Sequence, residues 1–167
     1  MARGGRRTFR MELKGAKELE AALLELPKRV RKAAIRRALL KAAAPIAADA
    51  KGRVRVRQGD LQRRIQVATT LSRRQRRSRG AGVQKGVVEV FLGAGPSREA
   101  HLVEFGTGQR RHKDGSSTGA ARAFPFMRPA WEAGKMRALE EFGRMLWLEI
   151  EAAAKRVAAR ALRAAKQ

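Results

Sequence analysis

PAWEAGKMRALEEFGRMLWLEIEAAAKRVAARALRAAK, residues 129–166, decides the fold. Leu139, Phe142, Leu146, Ile150, Ala153, Val157, Ala161 and Ala164 follow one another at steps of 3, 4, 4, 3, 4, 4 and 3. That spacing is the apolar stripe of an amphipathic helix. It predicts one long C-terminal helix over 130–166. At a rise of 1.5 Å per residue, about 35 residues reach roughly 50 Å. A single domain of this size is narrower than that. The end of the helix therefore either projects or packs on another subunit. Trp147 lies off the stripe, beside Gly143 on the helix surface. An exposed Trp there suits a subunit contact, and cover by another helix of the same chain suits it equally.

A second helix precedes it. Val30, Ala34, Ala38, Ala42 and Ile46 recur at steps of four, with Arg and Lys on the other side. Pro27 suits its start and Gly52 its end. Pro45 removes a helical hydrogen bond, which predicts a kink or a new turn there. Before it, Leu19, Ala22, Leu23 and Leu26 mark a shorter helix from about Ala16. Residues 1–7 read as a disordered basic arm. Thr8–Leu13 alternates, with Phe9, Met11 and Leu13 on one side, and reads as a strand.

After the second helix, Val54–Arg57 is extended, Gly59-Asp60 is a turn, and Asp60 caps a helical turn over Leu61–Arg64. Ile65–Leu71 and Val87–Leu92 read as strands. The second is apolar on both faces, the mark of a central strand. Residues 73–86 read as a flexible loop between them. Ser97 can cap a short helix through Phe105, residues 108–120 read as a second flexible loop, and residues 123–129 as an extended apolar lead-in. The fold class is α+β: a small antiparallel sheet packed against N-terminal helices and one long C-terminal helix. Residues 8–167 form a single domain in this reading.

The 167 residues carry 39 Lys and Arg against 15 Asp and Glu, a net charge of +24. Self-repulsion of that size disfavours a compact monomer. Nucleic acid, an acidic protein face or a membrane surface would offset it. Biased replacement of Lys by Arg on solvated faces is the plain alternative. Arg73, Arg74, Arg76, Arg77 and Arg79 form the densest cluster. It reads as a loop ordered by a partner, or simply as a solvated one. Aromatic residues are only 5% of the chain and Tyr is absent, which argues against a stacking platform for unpaired bases. No cysteine occurs, so disulfides and thiolate zinc sites are excluded. No apolar run is long enough to span a membrane, and no apolar signal core follows the basic start. These features predict a soluble protein made in the cytoplasm, without a transmembrane anchor.

Little catalytic chemistry is visible. The histidines are His101 and His112. His101 and Glu104 share a helix face, half of a metal site without its other half. A helix-terminal hydrogen bond is the favoured role. Asp occurs only at 49, 60 and 114, too scattered for two-metal nuclease chemistry. No phosphate loop, helix-turn-helix or zinc finger stands out. An enzyme, a cofactor, a metal and a small-molecule substrate are not expected.

Four segments in order resemble a family. They are Leu13-Lys14-Gly15-Ala16-Lys17-Glu18-Leu19, Val56-Arg57-Gln58-Gly59-Asp60-Leu61, Ala100-His101-Leu102-Val103-Glu104-Phe105-Gly106-Thr107 and Ala123-Phe124-Pro125-Phe126-Met127-Arg128-Pro129-Ala130. The chain resembles the tail-completion or head–tail joining proteins of long-tailed bacteriophages. Arg55 stands where that family favours proline, and Gln58 where it favours threonine. The resemblance implies an α+β subunit of the virion that assembles as a ring, a hexamer by preference, in the neck or head-proximal tail. Its partners would be other neck or tail-tube rings, with non-specific contact to DNA in the channel. Candidate subunit contacts are Phe124, Phe126, Met127, Arg128, Trp131 and Trp147. Candidate partner or DNA contacts are Arg73, Arg74, Arg76, Arg77 and Arg79. Gly59, Glu104, Gly106 and Thr107 mark the motif turns. The competing reading is a free-standing basic protein that binds nucleic acid without sequence preference.

Overall fold

A nine-residue helix, α1 (Ala16–Leu24), opens the described part of this computed structural model, which covers residues 15–55, 59–79 and 87–164. The expected arm over 1–7 and the expected strand over 8–13 lie outside the described residues. Pro27 then caps α2 (Lys28–Arg53) with an extended backbone, the conformation proline and a helix start both accept. Pro45 does not open a new turn; α2 continues through it as one helix. Pro45 lies on the exposed side, where water can satisfy the carbonyl it leaves unpaired. Ile46, Ala47 and Ala50, just beyond it, are buried and hold the last turns on the core.

Short elements follow: α3 (Asp60–Arg64), β1 (Gln66–Ala68), α4 (Arg73–Arg79), β2 (Phe91–Gly93), α5 (Ala100–Phe105), β3 (Arg110–Arg111) and β4 (Ser117–Gly119). The last element, α6 (Met127–Ala164), is 38 residues long, or about 57 Å. The fold is α+β, as the sequence predicts.

α2 and α6 form the spine. They run antiparallel: Ile46 meets Gly134, while Arg37 and Lys41 meet Glu149. Ala34, Ala38 and Ala42 on α2, with Ala130 and Ala153 on α6, are all buried. Small side chains let the two backbones approach closely, and alanine loses no rotamer freedom on burial. Gly134 marks the tightest point. A Cβ there would stand 2.8 Å from Ile46 Cγ1, and Ile46 is itself buried. Helix propensity favours Gly134→Ala by about 1 kcal/mol, but over-packing costs about 1–3 kcal/mol. The variant is therefore expected to melt below the parent in a thermal scan. An unchanged or raised Tm would show that the seam yields at this point.

Two apolar clusters sit along the spine. At the root of α6, Phe126 and Ala130 pack with Ile46, Ala50, Val54, Ile65 and Ala94. Further along, Leu146, Ile150 and Ala153 pack with Leu19, Leu26 and Ala38. Glu149 bolts the helices together between charged groups, accepting from Arg37 Nε at 2.6 Å and Lys41 Nζ at 2.9 Å.

The sheets are smaller than the alternation predicts. β1 pairs antiparallel with β2, Val67 opposite Leu92, and β3 pairs with β4. Among the described residues Val87–Leu92 is not a central strand. Only Phe91–Gly93 is in a ladder, and β1 is its one neighbour among the described residues. Its apolar residues are explained differently. Val88, Val90 and Leu92 line a cleft against α2 and α6, so their apolar side chains face helices. The strand expected over Ile65–Leu71 is likewise reduced to Gln66–Ala68, with Ile65 fully buried just before it.

Two expected loops carry regular structure. Residues 73–79 form α4. Ser72 and Gln75 make a reciprocal capping box: Gln75 N–H donates to Ser72 Oγ at 3.3 Å, and Ser72 N–H donates to Gln75 Oε1 at 3.0 Å. That pair closes two of the helix-start amides. Gln75 Nε2 also donates to Gly95 O at 3.3 Å, which ties α4 to the turn after β2. Residues 80–86 lie outside the described residues. Within 108–120, β3 and β4 form a hairpin. Its tip is closed by His112 N–H to Ser116 O at 2.8 Å and Asp114 Oδ1 accepting from Ser116 N–H at 2.9 Å. Gly115 supplies the positive φ, 87°, that such a turn requires.

Candidate functional site

The segment before α6 has no local means of capping a helix. Residues 121–125 carry no regular structure and 126 is a bend, and the first α6 amides have no Ser, Thr or Asp beside them to accept their bonds. The cap comes from α5. Glu104 is buried and turns its carboxylate to the helix start. Oε2 accepts from Phe126 N–H at 2.8 Å and Met127 N–H at 2.9 Å; Oε1 accepts from Arg128 N–H at 2.9 Å. Burial pushes the Glu104 carboxyl up, but the three amides and the nearby Arg128 charge outweigh it and hold it below its ordinary value. An anion at a helix N-terminus also meets the positive end of the helix dipole.

The next residues complete a clamp. Phe124 N–H donates to Val103 O at 2.8 Å, Thr107 N–H donates to Ala121 O at 2.9 Å, and Thr107 Oγ1 accepts from Ala121 N–H at 2.9 Å. Gly106 stands between them at φ 73°. Arg55 lays its guanidinium 3.9 Å from the Phe124 ring centroid, a cation–π contact. Two of the sequence motifs are thus halves of one device: Glu104, Gly106 and Thr107 grip residues 121–128 and set the direction in which α6 leaves the domain.

The candidate contact residues separate into buried and exposed sets. Phe126 is not a surface contact. It is 1% exposed and belongs to the core at the root of α6, in one cluster with Ile46 and Ile65, while its amide is held by Glu104. Phe124 and Met127 are half-buried. Met127, Arg128 and Trp131 line an open, mainly apolar cleft of about 970 Å³ beside Val88–Ala94. Arg128 sits over Phe105, 5.8 Å from the ring centroid, and Phe105 is itself exposed. Trp147 also stands exposed, 21 residues beyond Phe126 and so about 30 Å further along the helix. Gly59 is remote from this clamp in the chain; it starts α3 at φ 75°.

Arg73, Arg76 and Arg77 are exposed on α4. The side chains of Arg74 and Arg79 lie outside the described residues. Spacing of i, i+3 and i+4 puts Arg73, Arg76 and Arg77 on one side of the helix, with the Gln75 tether on the other. Sequence reasoning missed α4, although Ser72-x-x-Gln75 was a visible capping signal. It also missed Gly134, a lone glycine inside a strong helical pattern, and Glu149, the one acid that falls on the inner side of α6. No helix among the described residues is long and apolar enough to cross a membrane.

No curated protein and no solved structure matches the chain. A family described as "Bacteriophage HK97-gp10, putative tail-component" matches residues 17–106, from the start of α1 to the glycine of the clamp and just over half of the chain. By that match and by the motifs the clamp unites, the chain belongs to the HK97-gp10-like family of bacteriophage tail components.

Proposed function

We propose that this protein is a ring-forming tail-completion or head–tail joining component of a long-tailed phage, set in the neck or at the head-proximal end of the tail, and that it encircles the DNA channel without catalysing a reaction. Family membership supports the tail. One observation carries the ring: α6 leaves Trp131, Met136, Trp147 and Leu148 each 44–53% exposed. Met136 and Trp147 share one face of the helix, and a second copy packed against that face would take both out of water. A hexamer is the favoured ring, stacked on other neck or tail-tube rings. The net charge of +24 favours a lumen that tolerates DNA and contacts it without sequence preference.

Light scattering on nuclease-treated protein tests this reading. A defined oligomer at low and high salt, ring-shaped by electron microscopy, is the expected result. A monomer that shifts DNA at low salt and releases it at high salt would favour the free-standing nucleic-acid binder, the reading that the charge alone supports.

A further inference from the structure

The outward side of α6 carries a second periodic row. Met136, Glu140, Gly143, Trp147, Glu151, Ala154 and Ala158 follow at steps of 4, 3, 4, 4, 3 and 4. All but the half-buried Gly143 are exposed. The eight Lys and Arg of α6 all fall elsewhere on the helix: projected at 100° per residue, none enters this sector. In a chain of net charge +24, a helix face with two glutamates and no cation is an exception that asks for a cause. Gly143 lies one turn before Trp147, so a partner backbone can come close on that side. The other acids of α6 are engaged: Glu132 with Lys135, Glu141 with Arg144, and Glu149 with Arg37 and Lys41.

The complementary surface is on the same chain. Arg73, Arg76 and Arg77 present three guanidinium groups on one side of α4, and the capping box and the Gln75–Gly95 bond hold that helix in place. Guanidinium groups pair with carboxylates and stack on indole rings. Yet the two surfaces do not meet within one molecule. α4 is tied to Gly95, next to Ala94 in the core around Ala130. Trp147 lies 17 residues beyond Ala130, about 25 Å along α6, further than an arginine side chain reaches.

We infer that the Glu140–Trp147–Glu151 face of α6 docks the Arg73–Arg76–Arg77 side of α4 on a neighbouring copy of this chain. Two different patches joined in this way make a head-to-tail interface, the kind that closes into a ring. The inference rests on the ring reading above and names the surfaces that build it.

Charge exchange tests it. Two full-length variants are made, Arg73→Glu/Arg76→Glu/Arg77→Glu and Glu140→Arg/Glu151→Arg, and a third combines them. All five positions are exposed, and unchanged melting curves verify the fold. Each partial variant is expected to raise the concentration at the midpoint of assembly at least about tenfold, and the combined variant to return it to near the parent value. A parent that assembles while either partial variant assembles equally well would overturn this interface and leave the ring reading standing. A parent that stays monomeric would overturn both. Because the chain has no cysteine, a second readout is clean. Arg76→Cys with Glu151→Cys, treated with a short bis-maleimide, is expected to give a ladder of linked oligomers, and either substitution alone none. Dimers from Glu151→Cys alone would show that like faces pair, and would overturn the head-to-tail contact.

Discussion

Glu104→Ala is expected to lower stability by roughly 3 kcal/mol, the joint effect of a lost helix cap and orphaned donors. Three amides lose their acceptor at once. The Phe126 amide is buried and water cannot replace the carboxylate there. For a chain of this length that loss corresponds to a fall in Tm of roughly 10 °C, read by calorimetry or by a urea titration. Glu104→Gln keeps the shape and one acceptor oxygen but loses the charge, and is expected to fall about midway. An alanine variant that melts with the parent would show that the start of α6 is held by packing alone. The same carboxylate sets an acid limit. In the folded state Glu104 is held below its ordinary value, net of burial. Glu149 is shifted the same way, chiefly by the Lys41 hydrogen bond and, against the opposing effect of burial, by Arg37. Groups shifted down contribute stability above their unfolded pKa of about 4.3 and lose it as pH falls through the folded value. The parent is thus expected to lose stability on acidification below about pH 4, and Glu104→Gln to show a shallower dependence there.

Gly106→Ala is expected to cost at least as much, more than about 3 kcal/mol, because strain and collision add. Gly106 has φ 73° and ψ −171°, a region essentially closed to side chains. Its Cβ would stand 2.7 Å from Ala121 O and 2.8 Å from Ala123 N. Both are backbone atoms of the segment that the clamp holds, so relief requires moving residues 121–124 and breaking the Thr107–Ala121 pair. Hydrogen exchange at Phe126 and Met127 is expected to speed up together with the fall in Tm. Gly108→Ala is the control. Nothing lies within 4 Å of a Cβ there, and its effect should stay within about 0.5 kcal/mol. Equal melting of the two variants would show that the clamp does not depend on this close approach.

The long elements were legible in the sequence, because periodicity over many residues outweighs local noise. The stripe from Leu139 to Ala164 and the alanine steps of α2 both predict the helices observed. Short elements were less so. Seven residues rich in arginine show no apolar period, so α4 is specified by Ser72 and Gln75 alone. The 108–120 hairpin is polar on both faces, and only its Asp114-Gly115 turn betrays it. Val87–Leu92 misled because a strand apolar on both faces looks the same whether its neighbours are strands or helices. The clamp was half legible: its residues stood out as motifs, but a carboxylate that caps a helix 22 residues later in the chain leaves no periodic trace. Phe126 looks like a contact in the sequence, which shows an aromatic between two prolines and not the direction its ring takes.

The alanine seam between α2 and α6 has one more property. A row of identical small residues at every fourth position has translational degeneracy. Sliding α6 along the α2 row by a turn, about 5.4 Å, sets the same α6 side chains against alanine again. Burial along the seam therefore discriminates poorly between neighbouring alignments. Ile46 in the notch at Gly134 and the Glu149 group with Arg37 and Lys41 each occur once. The alignment of the whole spine, and with it the height at which Trp147 stands above the domain, is encoded at those two points, as a vernier is read at the one line that coincides.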